Sequence, residues 1–159
     1  MVSFPAPILR MDHTSMPYHY LPIPADIAED LLASGNRRVI IHAGGTSIRR
    51  YMFRTANGQD AVIVGLAILR DMGLRPGDVA HVDLEVDPDP DRVDLCEEFE
   101  AALSQDDEAN ERFQSMTTGQ QRSLAYHVGS AKRTETRIRR ALDMCFKLRT
   151  NTLHGDRSP

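Results

Sequence analysis

The chain has 159 residues, a formal net charge of −4, 41% apolar and 26% charged residues, no Trp and two Cys. That length suits one domain, or one small domain with an appendage, and the apolar-to-charged balance excludes wholesale disorder. The longest apolar run, Ala61 to Leu69, falls far short of the roughly 20 residues a membrane helix needs, so no membrane insertion is expected.

The first residues, Met1 to Pro7, lack the basic start and apolar core of a signal peptide. Two cysteines without a secretion signal read as reduced thiols of a soluble, cytoplasmic protein. Ser3–Leu9 and Tyr18–Ile23 read as the first two strands. Between Pro24 and Gly35, a leading proline, early acids and a closing glycine mark a helix over about 24–34. Ile27, Leu31 and Leu32 give it an apolar face. Arg38 to His42 is short and β-branched, and Gly44-Gly45 signals a hairpin into a strand over Thr46–Arg54. Asn57-Gly58 signals another hairpin, into Asp60–Val64. Leu66 to Gly73 reads as one or two helical turns closed by glycine.

Pro76 and Gly77 are the two central residues a type II turn requires. From Val79 to Asp87, Ala80, Val82, Leu84 and Val86 alternate with His81, Asp83, Glu85 and Asp87, which gives one buried face and one acidic face. Pro88 and Pro90 end the sheet, because neither can donate to a ladder. The remainder reads as helical. Asp94 with Glu97 resembles a capping box, as does Thr118 with Gln121, and a weaker helix lies around 108–116. Thr134 is the expected cap of the last helix, with Ile138, Ala141, Leu142, Cys145 and Leu148 as its apolar stripe. The divisions expected are a barrel with one helix over 1–90, a helical tail over 91–149 and a disordered end over 150–159.

Charge is unevenly spread. Residues 1–100 hold 9 Lys/Arg against 16 Asp/Glu, and residues 120–150 hold 8 against 2. The acidic front half disfavours nucleic acid, whose binding rests on neutralised phosphates. The candidate site is the basic start of the last helix, Lys132, Arg133, Arg137 and Arg140, where guanidinium groups can fork onto phosphate or carboxylate. Docking of this patch onto the acidic barrel, or between subunits, is favoured over an external anion, and Glu135 is expected to pair with Arg139.

Histidines 13, 19, 42, 81, 127 and 154 follow no zinc spacing, although Asp12, His13 and His19 are close in sequence and His42 could face His81. Cys96 lies beside Glu97 and Glu98, which oppose a thiolate, and Cys145 sits on the apolar stripe. The acidic run from Asp83 to Asp94 lacks the glycine and closing glutamate of an EF-hand and reads as a solvated sheet edge. No metal, cofactor or catalytic residue is expected.

Two passages carry a family resemblance. One joins Arg37-Arg38-Val39-Ile40, Ile68-Leu69-Arg70 and Gly73-Leu74-Arg75-Pro76-Gly77-Asp78-Val79. The other joins Gln120-Gln121-Arg122 to Ala131-Lys132-Arg133-Thr134-Glu135-Thr136-Arg137-Ile138-Arg139-Arg140-Ala141. Together they resemble the YdeI/OmpD-associated family, also described as bacteriocin-protection proteins, with its uncharacterised N-terminal domain. The resemblance implies an α+β fold: a small double-split β-barrel, AbrB-like in shape, followed by a helical segment. It implies no enzyme activity. The function expected is a non-enzymatic binding or assembly module linked to envelope or peptide stress, with a homodimer as one assembly state. The alternatives are a nucleic-acid-binding regulator, by analogy of the barrel, and an enzyme of unknown class.

Overall fold

The structure is a computed structural model that describes residues 1–11 and 18–156. The chain divides into two compact units, Met1–Pro90 and Asp91–Pro159. Asp12 and His13 lie outside the described residues.

The first unit runs β1 (Val2–Pro7), β2 (Leu9–Met11), β3 (Tyr18–Pro22), α1 (Ala25–Leu32), β4 (Arg38–Ala43), β5 (Thr46–Arg54), β6 (Asp60–Val64), α2 (Leu66–Asp71) and β7 (Val79–Val86). Its strands form one sheet in the order β1-β7-β4-β5-β6-β3-β2. Every pairing is antiparallel, and the sheet curls into a half-barrel ahead of the helices. The α+β class expected from the sequence is the one observed.

The period-2 pattern gives the sheet one buried face. Ala80, Val82 and Leu84 of β7 and Val39, Ile41 and Ala43 of β4 all point inward and are buried. They meet Leu21, Ile23, Met52 and Leu69 in a single core, and removal of this apolar surface from water is the main stabilising term. Gly44 and Gly45, at φ 55° and 77°, form the two-residue hairpin, with Ala43 opposite Thr46. The second hairpin differs from expectation. Arg54 pairs with Asp60, so the loop spans 55–59. It is closed by Thr55 N–H to Gln59 O at 2.8 Å and by the Thr55 hydroxyl to the same carbonyl at 2.9 Å. At the type II turn Gly77 has φ 90°, and Asp78 N–H donates to Arg75 O at 3.1 Å. The expected first strand stops earlier, at Pro7, and Leu9–Met11 turns to pair with β3 instead.

The second unit comprises α3 (Glu97–Ser104), α4 (Asp107–Ser115), α5 (Thr118–Gly129) and α6 (Thr134–Thr150). Phe99 and Phe113 meet edge to face, with centroids 5.5 Å apart, in a core with Leu103, Val128, Met144, Cys145 and Leu148. Three expected caps are corrected. α3 starts behind Cys96 with no side-chain cap. The α5 capping box is Thr117 with Gln120, one residue earlier than expected. α6 starts behind Arg133, again without a side-chain cap. Residues 151–156 stay attached to this unit, with Asp156 bound to Arg112 at 2.8 Å and Leu153 packed on the core. Among the described residues no helix is long and apolar enough to cross a membrane.

Candidate functional site

The basic residues singled out in the sequence gather at the start of α6, but two of them are already engaged within the unit. Arg137 directs Nε and Nη2 to Glu98 at 3.0 and 2.9 Å. Its Nη1 reaches the carbonyls of Ala131 and Lys132 at 3.0 and 3.1 Å, and Nη2 also reaches the Thr134 hydroxyl. This guanidinium therefore locks the α5–α6 connection to α3. The Arg137 hydrogen bond holds the Glu98 carboxyl below its ordinary range. Arg140 donates to the His127 carbonyl at 2.9 Å, at the end of α5, where a cation also meets the negative end of the helix dipole. Lys132 and Arg133 are exposed. The i,i+4 ion pair that α6 does hold is Lys147–Asp143 at 2.8 Å. Among the described residues no Glu135–Arg139 bond accompanies it.

Two buried carboxylates in the first unit escaped the sequence reading. Asp60 opens β6 and receives Arg37 at 2.7 Å and Arg54 at 2.8 Å. The hydrogen bond from Arg54 lowers its pKa against the opposing effect of burial. It borders an open cleft of about 830 Å³ whose other walls include Glu29, Leu32 and Gln59. Asp87, expected on a solvated edge, is 1% exposed. Arg49 lies 3.0 Å from it and Arg38 lies 3.8 Å from it, and its Oδ1 caps the Asp89 N–H at 3.0 Å. Both carboxylates are fully engaged, which marks them as structural ties where strands begin or end.

His42 bridges Ser47 at 2.6 Å and Glu85 at 2.9 Å and does not meet His81, which lies opposite Pro5. Cys145 is buried among the second unit's apolar side chains, and burial raises its thiol to about 11, so it stays protonated at neutral pH. Among the described residues no group of three His, Cys, Asp or Glu side chains could hold a metal.

The feature that sequence reasoning placed wrongly is the apolar side of α6. The buried row is Ala141, Met144, Cys145 and Leu148. Ile138, Leu142 and Phe146, two of them assigned to the core from sequence, are 45%, 60% and 53% exposed. Spaced i, i+4, i+8, they form one ridge. Beside it, Ala101 and Ala102 of α3 and Gln105 just after that helix line a groove of about 420 Å³. The small alanines leave that groove open. Arg149 stacks over the Phe146 ring at 5.6 Å and binds Asp106 at 2.5 Å, which fixes its position at the end of the ridge.

Two family models match the chain. One, described as a domain of unknown function (DUF1905), covers residues 4–84. The other, described as bacteriocin-protection, YdeI or OmpD-associated, covers residues 92–151. These are the family and N-terminal domain that the sequence motifs resemble. No curated protein matches the chain.

Proposed function

The chain belongs to the DUF1905 family, with a bacteriocin-protection, YdeI or OmpD-associated segment behind that domain, and on this premise we propose that it is a non-enzymatic assembly module whose contact surface is the solvent-facing side of α6. The observation that carries this reading is the exposed row Ile138, Leu142 and Phe146. Single exposed apolar residues are ordinary, whereas a continuous row beside a groove marks an interaction surface. Covering such a row recovers about 25 cal/mol per Å² of apolar area.

The family description names a protection and an association, not a reaction. A role in envelope or peptide stress would act through contacts of this kind. The acid excess of residues 1–100, 16 Asp/Glu against 9 Lys/Arg, argues against nucleic acid as the partner. With Arg137 and Arg140 already bonded inside the unit, an external anion would have only Lys132 and Arg133 to meet. That count favours the apolar row over the basic patch as the contact surface.

The test is Leu142→Lys combined with Phe146→Ser. If the row serves contact and not folding, stability stays within about 0.5 kcal/mol of the parent, as for other surface changes, and binding of an apolar dye at this face is lost. A drop of more than about 2 kcal/mol would show that the row is packed inside the folded protein, and the reading would fall.

A further inference from the structure

We infer that the partner covering α6 is α6 of a second copy of this chain, packed antiparallel about a two-fold axis at Leu142. This rests on the contact-surface reading above and adds the identity of the occupant.

The order of residues along the exposed side of α6 carries the inference. Glu135, Ile138, Leu142, Phe146 and Arg149 succeed one another on one face. At about 100° per residue these five positions fall within about 80° of arc. Ile138 and Phe146 lie four residues to either side of Leu142, and Glu135 and Arg149 lie seven to either side. Four and seven residues correspond to about 6 and 10.5 Å along a helix axis.

A two-fold contact repeats each pair twice, so the patch must complement itself when reversed. Reversal about Leu142 places Leu142 on Leu142, Ile138 on Phe146, and the Glu135 carboxylate against the Arg149 guanidinium at both ends. Apolar groups meet in the middle and opposite charges meet at the rims, as interfaces are built. A parallel pairing would instead set Glu135 against Glu135 and Arg149 against Arg149, which repel. Arg149 is held ready at its end by the Phe146 ring and by Asp106, the latter through Nη1.

The contact is small. α6 has 17 residues and is about 25 Å long, and one helix face covers less than the roughly 800 Å² per partner of a standard interface. The dimer is therefore weak, half-formed at tens to hundreds of micromolar.

Sedimentation equilibrium on the full chain, from about 10 μM to 1 mM to bracket that range, tests this. The parent should show a monomer–dimer equilibrium. Glu135→Arg alone, which sets arginine against Arg149, should weaken dimerisation at least ~10-fold. Adding Arg149→Glu should restore it to within about threefold of the parent. Leu142→Lys should be monomeric throughout, and it decides the matter if the charge-exchanged pair does not keep the parent's helicity. A parent monomeric at 1 mM would overturn the second-copy occupant. So would a Leu142→Lys protein that dimerises like the parent, or a folded exchanged pair no tighter than Glu135→Arg. If the Leu142→Lys, Phe146→Ser protein is at the same time as stable as the parent, the contact surface survives and only its occupant is wrong. If that variant is destabilised, the contact-surface reading itself fails.

Discussion

Replacing Gly44 by Ala should damage the barrel far more than the same change at Gly45, although the two glycines share one hairpin turn. Both have positive φ, 55° and 77°, so an alanine at either costs about 1–2 kcal/mol for its left-handed conformation. At Gly45 that is the whole penalty, because a Cβ there meets nothing within 4 Å. At Gly44 a Cβ would stand 1.9 Å from the carbonyl oxygen of Met72 and 2.7 Å from its carbonyl carbon. The obstacle is backbone at the end of α2, held by Met72 N–H to Ile68 O at 2.9 Å, and it cannot rotate aside as a side chain would. Forcing the hairpin from α2 adds the cost of overpacking, about 1–3 kcal/mol. The expected losses are therefore about 1–2 kcal/mol for Gly45→Ala and about 2–5 kcal/mol for Gly44→Ala. Urea unfolding followed by tyrosine fluorescence reads this directly, since three of the four tyrosines, Tyr18, Tyr20 and Tyr51, lie in the first unit. With a slope near 1 kcal/mol per molar, the two midpoints should differ by about 1–3 M, the overpacking cost alone. Equal midpoints would show that the hairpin does not rest on α2, and the reasoning would fail.

Arg137→Ala should lower the melting temperature of the helical unit and flatten its acid dependence. The sign follows from Glu98: its folded pKa lies below the ordinary 4.5, so the stabilisation is present above that value and lost as pH falls through the depressed one. The parent should therefore lose stability below about pH 4.5 more steeply than the variant, and parallel melting curves against pH would contradict the Arg137–Glu98 tie. Alkylation of the native protein at neutral pH should modify Cys96, which is partly exposed, well before Cys145, which is buried with its thiol near 11. Equal labelling without denaturant, followed by peptide mass analysis, would show that the helical core opens.

Turn chemistry made much of the barrel legible. Gly44-Gly45 and Pro76-Gly77 fix the ends of β4, β5 and β7, and the alternation from Ala80 to Leu84 gives the buried face. Local signals of this kind involve residues a few positions apart, and the sequence displays them. The ties at Asp60 and Asp87 were hidden because their partners are remote. Arg49 stands 38 residues before Asp87 and Arg37 stands 23 before Asp60. Within an acidic run, a carboxylate that will be buried looks like any other. The same blindness pointed Arg137 to the acidic barrel, a second subunit or an external anion, since its partner Glu98 lies 39 residues upstream.

The misplaced stripe on α6 has a more instructive cause. The positions 138, 141, 142, 145 and 148 keep helical spacing, and so do 141, 144, 145 and 148. Periodicity finds an apolar side but cannot divide two adjacent ones when both are apolar. A helix that only had to close the second unit's core would need the Met144 and Cys145 side and would place polar residues at 138, 142 and 146. That Ile, Leu and Phe stand there, between Glu135 and Arg149, leaves a second seam on the same helix with its own charged ends. The ambiguity that defeated the periodic reading is thus the pattern expected of a helix with two apolar sides, one packed in its own unit and the other exposed as the proposed contact surface.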